Sequence, residues 1–255
     1  MTQLGEFALR ALAGYRAYIE DANRHAMLAI IPEIEAAGSE DFGTPEEIQA
    51  ERLRFVRAML GAGPELPIQR PADVLRNWDA LVTPLVLDGA AVNPDPEWRA
   101  AMRKVYKSAI LQGLGRLECP DGQWALPVDF EAVMNEVDSL EGPGWWASRN
   151  LGSHIFWEGW GENFGRMETP RRIQERVKDG QAIIQLVNQL DHNYDVAGGW
   201  ELGCGVDAVF LAVYSRPKAG ERQVWSWRYV ASLGRVGIKI FKDLGGVLDW
   251  YKKYR

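Results

Sequence analysis

Two histidines, His154 and His192, lie in segments whose other residues suit acid–base or metal chemistry. Their candidate acidic partners are Asp191, Asp195 and Glu158. An imidazole beside a carboxylate can move protons near neutral pH or bind a metal ion. Neither histidine belongs to an H-x-x-x-H or H-x-E pattern, the spacings that place two metal or proton-transfer groups on one element. A chance pairing of loop histidines is the favoured interpretation, and we expect no metal.

The third histidine, His25, follows Asp21 by four residues in a helical pattern, which predicts an ordinary exposed pair.

Residues 203–208, Gly-Cys-Gly-Val-Asp-Ala, match the G-x-G-x-x-A pattern of dinucleotide-binding sites. That pattern binds a pyrophosphate only where a helix begins at its second glycine. The residues that follow are rich in β-branched and aromatic types and alternate like a strand. We therefore predict a bulge or tight turn at these glycines, and no cofactor.

Tryptophan is the residue in excess, with eleven in the chain. Trp225 and Trp227 share one strand face, and burial in the core is the favoured interpretation for them. A second group lies in a glycine-rich segment, where a core and a surface that binds a partner or stacks on a sugar remain equal alternatives. The candidate partner-binding residues are Trp145, Trp146, Trp157, Glu158, Trp160 and Glu162.

Amphipathic helical patterns dominate the first 115 residues and predict an all-helical region. Pro32 is expected to break or kink the first helix. Thr44 and Glu47 are spaced as a capping box at the start of the second helix. The predicted helices are about 5–37, 44–61, 72–81 and 95–112.

Beyond residue 115 the patterns are mixed. A helix is predicted over 128–139, with an apolar stripe of Phe130, Val133, Met134 and Val137. Residues 206–214 and 223–230 predict a β-hairpin with a longer loop. A closing helix follows, with its stripe at Phe241, Leu244, Leu248 and Tyr251.

A long insertion, about 147–199, separates the 128–139 helix from the hairpin. Residues 171–178 predict a helix capped at Thr169 and Pro170. Residues 181–188 fit either a helix or a strand, and we favour the helix.

Residues 124–130, Trp-Ala-Leu-Pro-Val-Asp-Phe, lead into the 128–139 helix and a glycine-rich exit at 142–144. This leader, the antiparallel strands and the aromatic closing helix resemble the SUKH superfamily, which includes fungal cell-wall synthesis regulators and bacterial toxin-immunity proteins. The resemblance implies an α+β fold and a non-enzymatic recognition function. The insertion at 147–199 departs from the family pattern.

Composition limits the partners. The chain has 255 residues and a net charge of −6, so it repels phosphate backbones, and we expect no nucleic acid partner. Cys119 and Cys204 are outside any C-x-x-C pair, which favours two buried thiols in a reducing compartment over a disulfide. No signal peptide or membrane span is evident, so the expected location is the cytoplasm.

The sequence thus predicts an α+β protein with a helical region at 1–115 and a SUKH-like domain at 116–255. The domain has a mostly antiparallel sheet with covering helices. The expected function is that of a regulator or scaffold, or of an immunity protein that binds a toxin, through another protein as partner. An enzyme that acts on a carbohydrate through Glu158 or Glu162 is the alternative. The oligomeric state is left open.

Overall fold

The structure is a computed structural model that describes residues 2–37, 43–60, 63, 66–141, 154–156, 169–205, 208–220, 223–233 and 237–253.

A single long helix, α1 (Gln3–Ala36), forms the start of the chain. Thr2 caps it, because the Thr2 hydroxyl accepts a hydrogen bond from the Gly5 amide at 3.2 Å. Helix α1 continues through Pro32, so the predicted break does not occur, whereas the alternative of a kink at Pro32 stays a prediction. Proline removes one helical hydrogen bond there. Burial of Ile31 and Ile34 on either side of it, in an apolar cluster, offsets that loss.

Helix α2 (Pro45–Leu60) confirms the predicted capping box. The Thr44 amide donates to the Glu47 carboxylate at 2.7 Å, and the Glu47 amide donates to the Thr44 hydroxyl at 3.4 Å.

The remaining N-terminal elements are short except for one helix. The predicted helix at 72–81 is two helices, α3 (Asp73–Arg76) and α4 (Trp78–Val82), which meet at Asn77. A two-residue strand, β1 (Ala90–Ala91), follows them in the otherwise helical region. The predicted helix that begins after Asp95 is α5 (Pro96–Leu114), and Asp95 caps it by accepting from the Glu97 and Trp98 amides.

Helix α6 (Val128–Glu136) leads into a small antiparallel sheet. Strands β2 (Ser139–Glu141) and β3 (His154–Phe156) pair with each other, and β2 also pairs with β1. This strand order, β1-β2-β3, joins the N-terminal region to the residues after α6.

The larger sheet confirms the predicted antiparallel architecture. Its strand order is β4-β5-β6-β7-β8, and every neighbouring pair is antiparallel. The strands are β4 (Val177–Asp179), β5 (Tyr194–Gly205), β6 (Ala208–Pro217), β7 (Ser226–Ser232) and β8 (Ile238–Phe241). The predicted hairpin is the β6–β7 pair.

The glycines at 203 and 205 lie at the end of β5, and β6, a strand, follows them. The β5–β6 register shifts between Glu201 and Gly203, which is the irregularity predicted for these glycines. The match to the dinucleotide-binding pattern is therefore accidental.

The insertion contributes to the larger sheet. Helix α7 (Pro170–Glu175) is capped by Thr169 as predicted, but it ends before Val177 and Lys178, which the sequence had placed in it. Those two residues belong to β4, where pairing with β5 satisfies their backbone groups. Helix α8 (Gly180–Leu186) confirms the helical interpretation of the segment after Gly180, and a 3₁₀ turn (Asn188–Leu190) follows it.

The two faces of the sheet are covered differently. Phe210 and Ala212 of β6 point into a central core that also takes residues from α1, α5, α6 and helix α9 (Leu244–Tyr251). Leu211 and Val213 point to the opposite face, where Ile183 of α8 packs. Residues on both sides of position 115 therefore share the central core.

The predicted stripes of α6 and α9 face that core. Phe130, Val133 and Val137 are fully buried. Leu244, Leu248 and Tyr251 of α9 are fully buried as well. Phe241 was predicted on the same helical stripe, but it is the last residue of strand β8 and packs at the margin of the core.

We expect Val133→Asp to lower the free energy of unfolding by several kcal/mol, because it places a charge without a partner in the core. Asn135→Asp is the matched control, since it adds the same charge on the exposed face of α6. Chemical denaturation of both variants measures the effect. Equal stability of the two variants would refute the packing of α6.

Candidate functional site

The six predicted partner-binding residues, Trp145, Trp146, Trp157, Glu158, Trp160 and Glu162, lie outside the described residues. Their assignment stays a prediction.

The structure pairs two of the three candidate acid–base carboxylates with cations, and the third, Glu158, lies outside the described residues. Asp191 accepts a hydrogen bond from the Lys218 ammonium at 2.8 Å, which lowers the pKa of Asp191. Asp195 accepts from the Arg216 guanidinium at 2.7 Å. His192 is exposed in the turn before β5, and His154 is described only in its backbone, in β3. Whether the His154 and His192 side chains lie close together therefore stays untested.

Two further candidate groups, His25 and Cys119, lie in the described part of the chain. His25 is exposed and lies 3.3 Å from the Asp21 carboxylate, as predicted. Cys119 is a free thiol, but it is half-buried rather than buried as predicted, and the side chain of Cys204 lies outside the described residues. Among the residues that the structure describes, no three His, Cys, Asp or Glu side chains are grouped so that they could hold a metal ion.

Four aromatic side chains form a continuous surface where the larger sheet extends past its covering helices. Tyr214 of β6 and Trp227 of β7 are directly opposite in the register, with ring centroids 5.1 Å apart. Trp225, just before β7, stacks on Tyr214 at 5.9 Å, and Trp124 packs edge-on against Tyr214 at 5.5 Å. All four are half-buried. We call Trp124, Tyr214, Trp225 and Trp227 the aromatic surface.

The aromatic surface is continuous with the core. Trp200 of β5 is only 1% exposed and packs against Phe130 of α6 at 5.3 Å. Trp227 contacts the same Trp200 ring at 5.0 Å. Along β6, Ala212 is buried and Tyr214, two residues further on the same face, is half-buried. The aromatic surface therefore lies on the same sheet face as the core, just beyond the area that α6 covers.

Residues 117–125, between α5 and α6, hold the rings in place. The Trp124 indole N–H donates to the Leu117 carbonyl at 3.1 Å, and the Trp227 indole N–H donates to the Ala125 carbonyl at 2.9 Å. The Tyr214 hydroxyl donates to the Asp121 carboxylate. Three hydrogen bonds thus fix the orientation of the Trp124, Trp227 and Tyr214 rings.

Gly198 of β5 lets this segment approach the sheet. It lies opposite Tyr214 in the register. A Cβ at position 198 would lie 2.8 Å from the Leu117 side chain and 3.6 Å from the Trp124 ring. A side chain there would force the Leu117 side chain to move, and the Lys178 carbonyl oxygen at 3.2 Å leaves little further room.

A charged pair borders the aromatic surface. The Arg216 guanidinium lies over the Trp225 ring, 5.1 Å from its centroid, and pairs with Asp195. The Trp225 indole N–H has no hydrogen-bond partner within the described part of the chain. Burial, and then the hydrogen bond to Asp121, raise the pKa of Tyr214, so its hydroxyl stays protonated above pH 10, where an ordinary tyrosine ionises.

The sequence analysis identified two of the four residues of the aromatic surface, Trp225 and Trp227. It placed Trp225 and Trp227 on one strand face and favoured the core for both. Trp227 does contact the buried Trp200, but Trp225 lies at the margin with Tyr214 and Arg216. Trp124 and Asp121 were missed, because their contacts join segments about ninety residues apart in the chain.

Comparison with known protein families, with curated proteins and with solved structures found no match for this chain. None of the helices in the described ranges combines the length and the apolar character that crossing a membrane requires.

The raised pKa of Tyr214 predicts a loss of stability in alkali. The ordinary tyrosine pKa is 10.0, so above about pH 10 the unfolded chain loses a proton that the folded chain retains. The free energy of unfolding should fall with pH there, by at most about 1.4 kcal/mol per pH unit for each such group.

Tyr214→Phe removes this contribution, while Tyr229, whose pKa is also raised, is unchanged. Urea unfolding at pH values between 9 and about 12 should give a shallower decline for Tyr214→Phe than for the unmodified protein. Identical declines would contradict the Tyr214–Asp121 geometry.

Proposed function

We propose that this chain is a protein-recognition module that binds its partner through the aromatic surface. The observation that supports this most is the set of four half-buried rings at the margin of the sheet, beside Arg216. Tryptophan, tyrosine and arginine are the residue types that contribute most binding energy in protein interfaces.

The surroundings of the aromatic surface have the arrangement of an interface. Apolar rings occupy the centre, and half-exposed ion pairs, Arg216 with Asp195 and Lys218 with Asp191, lie towards the edge. Each of these pairs is roughly half exposed, so it contributes little to stability by itself. Charged groups at the edge of an interface orient an approaching partner by electrostatic attraction and repulsion.

The rings are also organised in advance. The indole N–H groups of Trp124 and Trp227 and the Tyr214 hydroxyl are bonded to residues 117–125. Because these rings are already ordered, binding costs little side-chain entropy.

The order of elements supports a SUKH-type module. A helix capped by a Leu-Pro leader, an antiparallel sheet and a closing helix are what the resemblance implies, and α6, the larger sheet and α9 occur in that order. Under this proposal the chain is a regulator or scaffold, or an immunity protein whose partner is a toxin. The identity of the bound protein decides between these roles.

Trp225→Ala tests the proposal. We expect partner capture to weaken about tenfold or more, because a hot-spot aromatic is removed. The melting temperature should fall only slightly, since Trp225 is at the margin of the sheet. Affinity capture with the tagged full chain, quantified by mass spectrometry and paired with a melting curve, gives both readouts.

Trp200→Ala is the control for a core tryptophan. It should cost about 3–5 kcal/mol of stability, as for other fully buried aromatic residues. If Trp225→Ala captures the same proteins as the unmodified chain does, the aromatic surface is not the binding site. If it is as unstable as Trp200→Ala, Trp225 belongs to the core.

A further inference from the structure

The long helix α1 contributes to two separate apolar cores. Its first half, up to Ile19, packs into the central core. Its second half, from Met27 onwards, packs with α2, α3 and α4 into a second core. No described apolar residue belongs to both cores. We call the described residues from Met27 to Leu87 the N-terminal lobe, and the remaining described residues the body.

Polar groups occupy the boundary between the two cores. Asn23 of α1 is 4% exposed and donates to the Leu87 carbonyl at 2.7 Å. Asp88 is 2% exposed and accepts from the Arg16 guanidinium at 2.7 Å and from the Ala90 amide at 3.1 Å. The loop that leaves the N-terminal lobe is therefore tied to α1 by hydrogen bonds, and apolar packing between the cores does not supply that link.

The backbone of Val86, just before this boundary, is strained. Its φ is +54°, in the left-handed region that a β-branched residue rarely adopts. The Leu87 amide donates to the Val82 carbonyl at 2.8 Å, and the Val86 amide donates to the Thr83 carbonyl at 3.3 Å. These are the two bonds of a Schellman motif, in which glycine is the usual left-handed residue. Closure of the N-terminal lobe therefore holds valine in a conformation that favours glycine.

The N-terminal lobe has the smaller core. Twelve described residues are buried in it, against twenty-eight in the central core, so less apolar burial stabilises it. A unit of about 60 residues buries only about 60% of the surface of its unfolded chain and is marginally stable. Pro32 also removes one helical hydrogen bond from the part of α1 that belongs to the lobe.

We propose that the N-terminal lobe opens and refolds as a unit of its own while the body stays folded. Opening relieves the strain at Val86 and exposes the apolar side chains that α1 contributes to the second core. The ion pair of Asp88 with Arg16 lies on the body side and persists. The aromatic surface belongs to the body, so this conformational device is independent of the proposed function.

Native-state hydrogen exchange of the full chain, measured for each amide by NMR, tests this. Rates are compared with those of an unfolded chain of the same sequence. We expect the amides of α2, in the N-terminal lobe, to be protected at least about tenfold less than those of β6, in the body.

Two matched leucine substitutions separate the lobe from the body. Leu81→Ala, in the second core, should speed exchange in α2 by about thirtyfold or more and leave β6 unchanged. Leu248→Ala, in the central core, is the control and should speed exchange in β6 but not in α2.

Val86→Gly tests the strain. Glycine adopts the left-handed conformation without a steric cost, and this gain exceeds the cost of its greater freedom in the open state. Exchange in α2 should therefore slow by about fivefold, while exchange in β6 stays the same.

Equal protection of α2 and β6 would overturn the inference. Loss of protection in both regions in Leu81→Ala would overturn it too, because the lobe and the body would then unfold together. If Leu81→Ala left α2 exchange unaltered, the second core would not hold the lobe closed. Unchanged or faster exchange of α2 in Val86→Gly would contradict the role of the strained turn.

Discussion

The position of the covering helices depends on one buried carboxylate. Asp129, at the start of α6, is 4% exposed and accepts three hydrogen bonds. They come from the Tyr229 hydroxyl of β7 at 2.8 Å, from the Leu244 amide at the start of α9 at 2.7 Å, and from the Phe130 amide at 2.9 Å. A buried charge without such donors would cost several kcal/mol, so this side chain fixes both helices relative to the sheet.

The aromatic surface follows from that arrangement. With α6 held at β7, Phe130 covers Trp200, and residues 117–125 cover the sheet face beyond Trp200.

The environment of Asp129 also affects the neighbouring Tyr229. Burial, followed by the charge of Asp129, raises the pKa of Tyr229 well above the ordinary value, which keeps the hydroxyl a donor.

The sequence predicted the features that depend on contacts between residues close together in the chain. The Thr44–Glu47 capping box and the stripe of α6 each involve residues within about two helical turns, and both are present. In the sequence, Asp129 stands only as an acidic residue at the start of the predicted 128–139 helix. Its role depends on Tyr229 and Leu244, one hundred and one hundred and fifteen residues away, which no periodicity reveals. Strand β4 was mistaken for helix for the same reason, since pairing with β5 outweighs its helical propensity.

Hydrogen exchange of Asp129→Asn tests most directly whether this carboxylate holds the helices in place. An asparagine NH₂ cannot accept, so at least one of the three buried donors loses its partner, at a cost of about 1–3 kcal/mol or more. The account predicts lost protection for the amides of α9, beginning at Leu244, and a lower melting temperature. Asp249→Asn, exposed on the same helix, should leave both unchanged. Unaltered protection of α9 in Asp129→Asn would contradict the account.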